Sequence, residues 1–284
     1  MSFDRLTPVT SDFPPAEWRL ICNPSGHGAW NMAVDEAILE GVIEDTSPPT
    51  LRLYAWEPAC VSLGFAQPIS DLDRVNLDAR GWEVVRRPTG GRAILHTDEL
   101  TYAVIGPARE PRLTGSVLES YRRLSMALLG ALRLLGLPAE AQAKSPENTN
   151  GTNPVCFEVP SDYEISVDGR KLVGSAQARR REGLLQHGSL PLFGDHTRLV
   201  QALCFRNGDS QEAAARRLAS RATTVEAILG RRIAWGEAAE SFRIAFEQVL
   251  NLKLIPGKFS ARELARAEDL QESKYGHPSW TDRV

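Results

Sequence analysis

The stretch YEISVDGRKLVGSAQARRREGLLQHGSLPLF, residues 163–193, carries the strongest fold signal in the chain. Its Asp168-Gly169 pair suits a type I′ turn, in which both central residues adopt positive φ, and it stands between two strand-like segments. The residues RREG at 180–183 then turn the chain back into LLQHGSLPLF at 184–193. We therefore predict a three-stranded antiparallel meander.

The residues before the meander predict more short strands and two helices. Apolar side chains at helical spacing predict helices over 30–42 and 116–136, the second of which ends at Gly136 and Pro138. β-prone segments predict strands over 51–56, 59–65 and 81–87, and continuous extended structure over 93–106. The polar, turn-rich segment 139–155 predicts a long loop, and long loops in compact domains are often functional.

The residues after the meander predict a mostly helical region. Helical patterns cover 196–206, 211–220, 235–250 and 260–273. Residues 1–15 are Pro-rich and polar and predict a loose lead-in, and the chain contains no internal repeat or clear linker. The strand-rich middle with helices on both sides predicts an α+β (mixed α/β) fold of central mixed β-sheets with flanking helices. We expect a single domain over 1–284, with a core over about 30–250 and a C-terminal helical extension.

Composition argues against several classes of protein: nucleic-acid-binding, membrane-spanning and secreted ones. The chain has 284 residues, enough to bury a substantial core, and a formal net charge of -3, which does not suggest nucleic acid as a partner. No stretch is long and apolar enough to cross a bilayer, and the first residues lack the apolar region of a secretory signal. The four cysteines are scattered without a CxxC pair, which is typical of reduced thiols. We therefore expect a cytoplasmic protein without a membrane or nucleic-acid partner.

The loop RRPTGGRAILH, residues 86–96, is the first candidate for chemistry. Gly90 and Gly91 follow a predicted strand, so the backbone can approach a ligand closely and expose its N–H groups. The side chains that could contact an anionic or carbonyl group, or that lie nearby, are Arg86, Arg87, Arg92 and His96. The spacing is neither that of a phosphate loop nor GxGxxG. A tight surface turn is the alternative interpretation.

Cys156 is the second candidate, because it lies where a polar loop enters a strand. A reactive thiol needs a cation or a helix N-terminus that lowers its pKa. Lys171, at the start of the second hairpin strand, would favour the thiolate if the loop folds back over the meander. The alternatives are an inert buried cysteine and a solvated lysine after a turn. The other cysteines, Cys22, Cys60 and Cys204, lie in apolar sequence surroundings and are expected to be structural.

The remaining polar motifs predict no separate site. Gly174 and the small Ser175-Ala176 pair make a narrow strand against which a ligand could lie. His187 and His196 lack metal-ligand spacing, so no metal is expected.

Six motifs, taken in their order along the chain, resemble those of a known family, and they cover almost the whole chain from about Trp30. The motifs are WNMAVDEAIL, RRPTGGRAILH, PVCFEVPSDYEI, GRKLVGSAQ, QHGSLPL and KYGHPSW. With Cys156 placed before Lys171, the sequence resembles the biotinyl/lipoyl protein ligase superfamily. Within it, the sequence is similar to the octanoyl-[acyl carrier protein]:protein N-octanoyltransferases of the LipM type.

The resemblance implies a mixed sheet with helices packed outside it. It implies that Cys156 is the acyl-thioester nucleophile and Lys171 the activating lysine. The implied walls of the acyl tunnel and substrate-binding positions are Arg86, Arg87, Thr89, Gly90, Gly91, Arg92, His96, Gly174, Ser175 and Ala176. The implied donor is octanoylated acyl carrier protein, and the implied acceptor is a lysine of a lipoyl domain, typically the glycine cleavage H protein. One thioester is exchanged for another, so neither ATP nor a cofactor is expected.

Four alternatives stay open at this point. One is an ATP-dependent lipoate–protein ligase on the same fold, and a second is an amidotransferase that moves octanoyl between lipoyl domains through a cysteine. A third is the other octanoyltransferase family, whose nucleophile lies later in the chain. Cys204 is the nearest position, but its surroundings do not match. The fourth is a non-enzymatic carrier-binding module on the same scaffold.

Overall fold

The computed structural model describes residues 13–143, 163–180, 182–205 and 210–284, and its main feature is an eight-stranded sheet. The strands of the structure are β1 (Ala16–Cys22), β2 (Thr50–Tyr54), β3 (Cys60–Leu63), β4 (Glu83–Arg86), β5 (Ile94–His96), β6 (Glu99–Pro107), β7 (Glu140–Ala143), β8 (Tyr163–Val167), β9 (Arg170–Arg179), β10 (Gly183–Pro191) and β11 (Leu252–Pro256). The large sheet has the order β11-β1-β2-β6-β10-β9-β8-β7, and the smaller sheet has the order β4-β3-β5.

The helices lie outside these sheets, which confirms the predicted α+β class. They are α1 (Gly28–Ile43), α2 (Arg74–Ala79), α3 (Val117–Leu134), α4 (Gln211–Arg221), α5 (Val225–Leu229), α6 (Trp235–Leu250), α7 (Ala261–Leu270) and α8 (Pro278–Thr281). A 3₁₀ helix spans His196–Ala202. No helix in the described part of the chain is long and apolar enough to cross a membrane.

The meander is confirmed as β8, β9 and β10, which pair antiparallel. Asp168 and Gly169 have φ values of 50° and 72°, the left-handed conformation that the predicted turn requires. β10 continues the sheet by pairing with β6, so the meander joins the centre of the large sheet.

The two faces of the large sheet are covered by different helices because side chains alternate along each strand. On β6, Tyr102 and Val104 pack into the core with α3 and α6, whereas Ala103 and Ile105 pack into the core with α1. A capping box at Ser116 begins α3, which confirms the second predicted helix. The two cores therefore lie on opposite faces of the large sheet.

Several expectations were wrong in detail. β11 lies between two predicted helices of the mostly helical region, and neither this strand nor its parallel pairing with β1 was predicted. β7 occupies 140–143 within the predicted loop, because these residues complete the sheet beside β8. The predicted extended segment 93–106 is two strands in two sheets, since the chain bends at Thr97-Asp98. Cys22, which its apolar sequence surroundings predicted to be structural, is exposed at the end of β1.

Candidate active site

A cavity lies where the two sheets and α1 meet, and it contains about 390 Å³ of empty space that is partly open to solvent. Its lining is mostly apolar, with Met32 from α1, Trp56 after β2 and Ile94 from β5. The predicted positions Gly174, Ser175 and Ala176 line it from β9. We refer to this space as the central cavity. An apolar cavity of this kind suits an uncharged hydrocarbon chain.

The wall formed by β9 and β10 depends on glycine at Gly188. A Cβ atom at this position would lie 2.5 Å from the carbonyl oxygen of Gly174 and 2.6 Å from the Tyr102 ring. The hydroxyl of Ser175 lies 2.6 Å from the Tyr102 hydroxyl, so it is already hydrogen-bonded. Close backbone approach therefore shapes this side of the central cavity.

The loop that contains Gly90 and Gly91, which we call the glycine loop, packs on the small sheet, and Arg86 and Arg87 bind backbone carbonyls. Arg87 is buried and lines the central cavity. It donates to the carbonyls of Ser62 at 2.8 Å, Gly90 at 2.9 Å and Arg92 at 2.7 Å. A Cβ atom on Gly64 would lie 2.0 Å from the carbonyl oxygen of Gly91, which shows how closely the loop approaches β3.

Arg86 has a different position from its neighbour. Its guanidinium donates to the carbonyls of Gly64 at 2.9 Å, Gln67 at 2.6 Å and Thr281 at 2.7 Å. It therefore ties the C-terminal residues to the glycine loop. The structure places Gly90, Gly91 and Arg92 together along a second, more open depression beside Lys274 and Trp280.

His96 forms the small-sheet side of the central cavity. Its Nδ1 lies 2.6 Å from Oε1 of Glu99, its Nε2 lies 2.8 Å from Oγ of Ser62, and its ring stacks on Trp56 at 4.0 Å. Burial alone would raise the pKa of Glu99. The His96 charge and hydrogen bonds from His96, Ser189 and Thr101 outweigh it and hold that pKa below its ordinary value.

His187 forms the large-sheet side, and the sequence did not single it out as a ligand-binding residue. Its Nε2 lies 2.7 Å from Oγ1 of Thr89, and its Nδ1 lies 3.6 Å from Oδ2 of Asp35. Burial lowers the pKa of His187, although the nearby Asp35 carboxylate opposes this. Asp35 is itself paired with Arg52 at 2.6 Å.

Lys171 lies on β9, three residues before Gly174, and its side chain is buried. Its ammonium donates to Oε1 of Glu164 at 2.7 Å, and its carbonyl accepts from the backbone N–H of Thr223 at 3.0 Å. It is not among the residues that line the central cavity. Cys156 lies outside the described residues, so its position relative to Lys171 stays a prediction.

Sequence reasoning missed Met32, Trp56, Ser62 and His187 as cavity-lining residues. They stand in segments whose patterns predicted only helices and strands, and their convergence depends on how the two sheets meet. Within the described residues, no group of three or more His, Cys, Asp or Glu side chains could hold a metal ion.

Comparison with known proteins agrees with this geometry. The family model of the lipoyl protein ligase A/B catalytic domain matches residues 27–247. The chain is 41% identical over 273 residues to the octanoyltransferase LipM of Symbiobacterium thermophilum, covering 94% of this chain and 98% of the relative. It is 38% identical over 267 residues to the LipM of Carboxydothermus hydrogenoformans, with the same coverage of both chains.

A solved structure of similar fold is the bi-partite lipoate protein ligase from Thermoplasma acidophilum. It superimposes with a TM-score of 0.78 at 21% identity and covers 94% of this chain and 96% of that chain. At this identity the likeness concerns the fold alone. The chain therefore belongs to the lipoyl protein ligase A/B catalytic-domain family, as a member of the LipM type.

Proposed function

We propose that the chain is an octanoyltransferase of lipoate biosynthesis, which takes octanoyl from octanoylated acyl carrier protein onto Cys156 and passes it to a lysine of a lipoyl domain. The LipM relatives support octanoyl transfer. The observation that carries the proposal is the apolar central cavity, whose β9 wall begins three residues after the buried Lys171.

In this proposal the central cavity holds the hydrocarbon chain. Its apolar side chains Met32, Trp56 and Ile94 contact methylene groups, and the polar side chains that line it have partners within the protein. Burying an uncharged chain there is favourable at roughly 25 cal/mol per Å² of apolar surface. A carboxylate or phosphate would find the guanidinium of Arg87 already bonded to three carbonyls.

The proposed chemistry is a pair of acyl transfers. The Cys156 thiolate attacks the carbonyl carbon of the donor thioester, the bond to the carrier sulfur breaks, and the carrier thiolate leaves and takes up a proton. The neutral amine of the acceptor lysine then attacks the Cys156 thioester, an amide forms, and the Cys156 sulfur leaves and takes up the proton that the amine nitrogen loses. The acyl-enzyme divides one difficult encounter between two carrier proteins into two simpler ones. The energy of the donor thioester makes ATP unnecessary.

Lys171 is proposed to favour the Cys156 thiolate by its positive charge. Its ammonium is bonded to Glu164 in the structure, so the carboxylate offsets part of that charge. Backbone N–H groups of the glycine loop and of β9 are the proposed donors to the developing oxyanion.

The remaining parts of the proposal concern the chain as a whole. We propose that 1–284 acts as one catalytic domain. A reactive free thiol agrees with a cytoplasmic location, where thiols stay reduced. A lipoyl domain is the acceptor, and the glycine cleavage H protein is its proposed form.

The test is intact mass spectrometry after mixing the protein with octanoylated acyl carrier protein without ATP. We expect a single octanoyl adduct, which Cys156→Ser does not form. Cys204→Ser is the matched control and should still form the adduct. No adduct, or an adduct that needs ATP, would contradict the proposal. Addition of the H protein or of an already octanoylated lipoyl domain then separates acyl-carrier transfer from amidotransfer.

A further inference from the structure

Another cavity, different from the open depression beside Lys274, lies next to the central cavity. It contains about 520 Å³ of empty space and is partly open to solvent. Ile94 lines both cavities. The bend at Thr97-Asp98, the end of β10, the 3₁₀ helix at His196–Ala202 and the residues after α4 surround it. We refer to it as the side cavity.

Two buried polar atoms in the side cavity have no hydrogen-bond partner within the described residues. They are Oγ1 of Thr223, whose residue is 1% exposed, and Nε2 of His196. Both residues line the cavity. A buried polar group without a partner is unfavourable, so a ligand or a water molecule is expected to meet these atoms.

The two atoms have complementary hydrogen-bonding capacity. The backbone of Leu218 hydrogen-bonds the His196 imidazole, and Nε2 is the nitrogen left without a partner. A neutral imidazole with its proton on Nδ1, toward the Leu218 backbone, presents Nε2 as an acceptor. Burial lowers the pKa of His196 and so favours this neutral form. The Thr223 hydroxyl supplies a donor.

One donor and one acceptor match a secondary amide, which offers one carbonyl and one N–H. The apolar lining of the side cavity, which includes Phe193, Leu199 and Leu218, suits methylene groups on either side of such an amide. Arg198, a cationic side chain in its lining, forms an ion pair with Asp98, and the Asp195 carboxylate accepts hydrogen bonds from Thr197. The side cavity thus suits a thin chain of alternating methylenes and amides better than a free anion.

The side cavity also lies beside the strand that carries Lys171. The backbone N–H of Thr223 donates to the Lys171 carbonyl at 3.0 Å, and Ala222 forms a parallel bridge with the same residue. A chain bound there would approach β9 next to Lys171, from which the wall of the central cavity begins at Gly174.

We propose that the side cavity binds the pantetheine arm of the donor thioester, with an amide of the arm between Thr223 and His196. This inference rests on the proposed octanoyltransferase function and names the part of the donor that the protein recognises. The pantetheine arm contains two amides separated by methylenes. The acceptor lysine has only an aliphatic stem before its amine, so it would leave both polar atoms without partners.

The experiment compares two small donors in each variant: octanoyl-pantetheine, and the ethyl thioester of octanoic acid, which has no amide. The rate of octanoyl-protein formation is measured by intact mass for both, and the ratio of the two rates is compared. Thr223→Val replaces the hydroxyl by a methyl of similar size. We expect it to reduce the preference for octanoyl-pantetheine about three- to tenfold, the effect of one hydrogen bond.

Thr223→Ser keeps the hydroxyl and is the matched control, which should retain the preference. Because both rates come from one preparation, the folded fraction cancels in the ratio. An unchanged ratio in Thr223→Val would overturn the inference and leave only solvent in the side cavity. If neither small donor acylates a wild-type protein that octanoylated acyl carrier protein does acylate, the inference is overturned and the proposed function stands; if the octanoylated carrier also leaves no adduct, the proposed function itself fails.

Discussion

The two sides of the central cavity contain the same arrangement of three side-chain groups, one side on the small sheet and the other on the large sheet. Each has a buried histidine between a hydroxyl and a carboxylate: His96 with Ser62 and Glu99, and His187 with Thr89 and Asp35. The carboxylate lies 2.6 Å from the ring nitrogen on the small-sheet side and 3.6 Å on the large-sheet side.

The difference lies in what balances each carboxylate. Asp35 has a full cation, Arg52, at 2.6 Å and also accepts from the Tyr54 hydroxyl at 2.9 Å. Glu99 instead lies 2.6 Å from Nδ1 of His96 and accepts hydrogen bonds from the hydroxyls of Thr101 and Ser189. Both sides thus bind their charges internally and leave an apolar interior, but by different means. On the large-sheet side, Arg52 balances the charge of Asp35. On the small-sheet side, the His96 ring is the group that faces Glu99.

The largest expected effect comes from Arg52→Met, which removes the cation from the large-sheet side. Arg52 and Asp35 have 0% exposed side chains, so Asp35 would become an unpaired buried charge. Because the Tyr54 hydroxyl and the His187 ring replace none of the charge lost with Arg52, we expect the free energy of unfolding to fall by about 3–5 kcal/mol, as measured by urea denaturation. Lys253→Met breaks an exposed pair with Glu17 and is the control, with an expected change below about 1 kcal/mol. Equal losses in both variants would contradict the comparison.

The next effect concerns the wall beside His187. Gly188→Ala forces β10 away from the Gly174 carbonyl, because the new Cβ would lie only 2.5 Å from that backbone oxygen. We expect a loss of about 1–3 kcal/mol in unfolding free energy, together with slower octanoyl-adduct formation. Gly236→Ala has no neighbour within 4 Å of its Cβ and should leave both unchanged or gain slightly in stability. A fully active, stable Gly188→Ala protein would show that close strand contact is not needed.

The pH dependence of the free energy of unfolding tests whether His187, on the large-sheet side, is neutral in the folded protein. Burial lowers its folded pKa below the usual 6.5, so the unfolded chain binds more protons as the pH falls past that value. The free energy of unfolding therefore carries no penalty from His187 above pH 6.5, and it decreases as the pH falls below that value. His187→Gln should flatten this loss by up to about 1.4 kcal/mol per pH unit, measured by denaturation at pH 7.5, 6.5 and 5.5. Burial also lowers the pKa of His196, so the His187→Gln variant should still lose some stability as the pH falls. Identical slopes in both proteins would rule out a buried neutral His187.

The smallest effect concerns a third carboxylate, Glu164, which pairs with Lys171. Glu164→Gln removes the negative charge and leaves the ammonium effect on Cys156 less opposed. We expect iodoacetamide to alkylate Cys156 about two- to fivefold faster at neutral pH, followed by peptide mass mapping. Lys171→Met should slow the same reaction. If both variants react at the wild-type rate, Lys171 does not act on this thiol.

Local signals predicted the meander, since the Asp168-Gly169 turn needs no information from distant residues. The parallel pair of β1 and β11 was missed because its partners lie more than two hundred residues apart, at the sheet edge. The glycine loop was found from its composition. That Arg86 binds the C-terminal carbonyls whereas Arg87 lines the cavity follows only from strand alternation and packing. The pairing of His187 with Thr89 crosses 98 residues and carries no local sequence signal.

The central claim is that the acyl group passes through Cys156 on its way to the acceptor. The most direct measurement isolates the octanoylated protein, removes the donor and adds an unmodified lipoyl domain. Intact mass then follows both proteins in a single turnover. The account predicts that octanoyl leaves the Cys156 adduct and appears on the lipoyl-domain lysine at the same rate, without ATP. Loss of the adduct to water alone, or an adduct that persists while the acceptor is modified only from fresh donor, would contradict it.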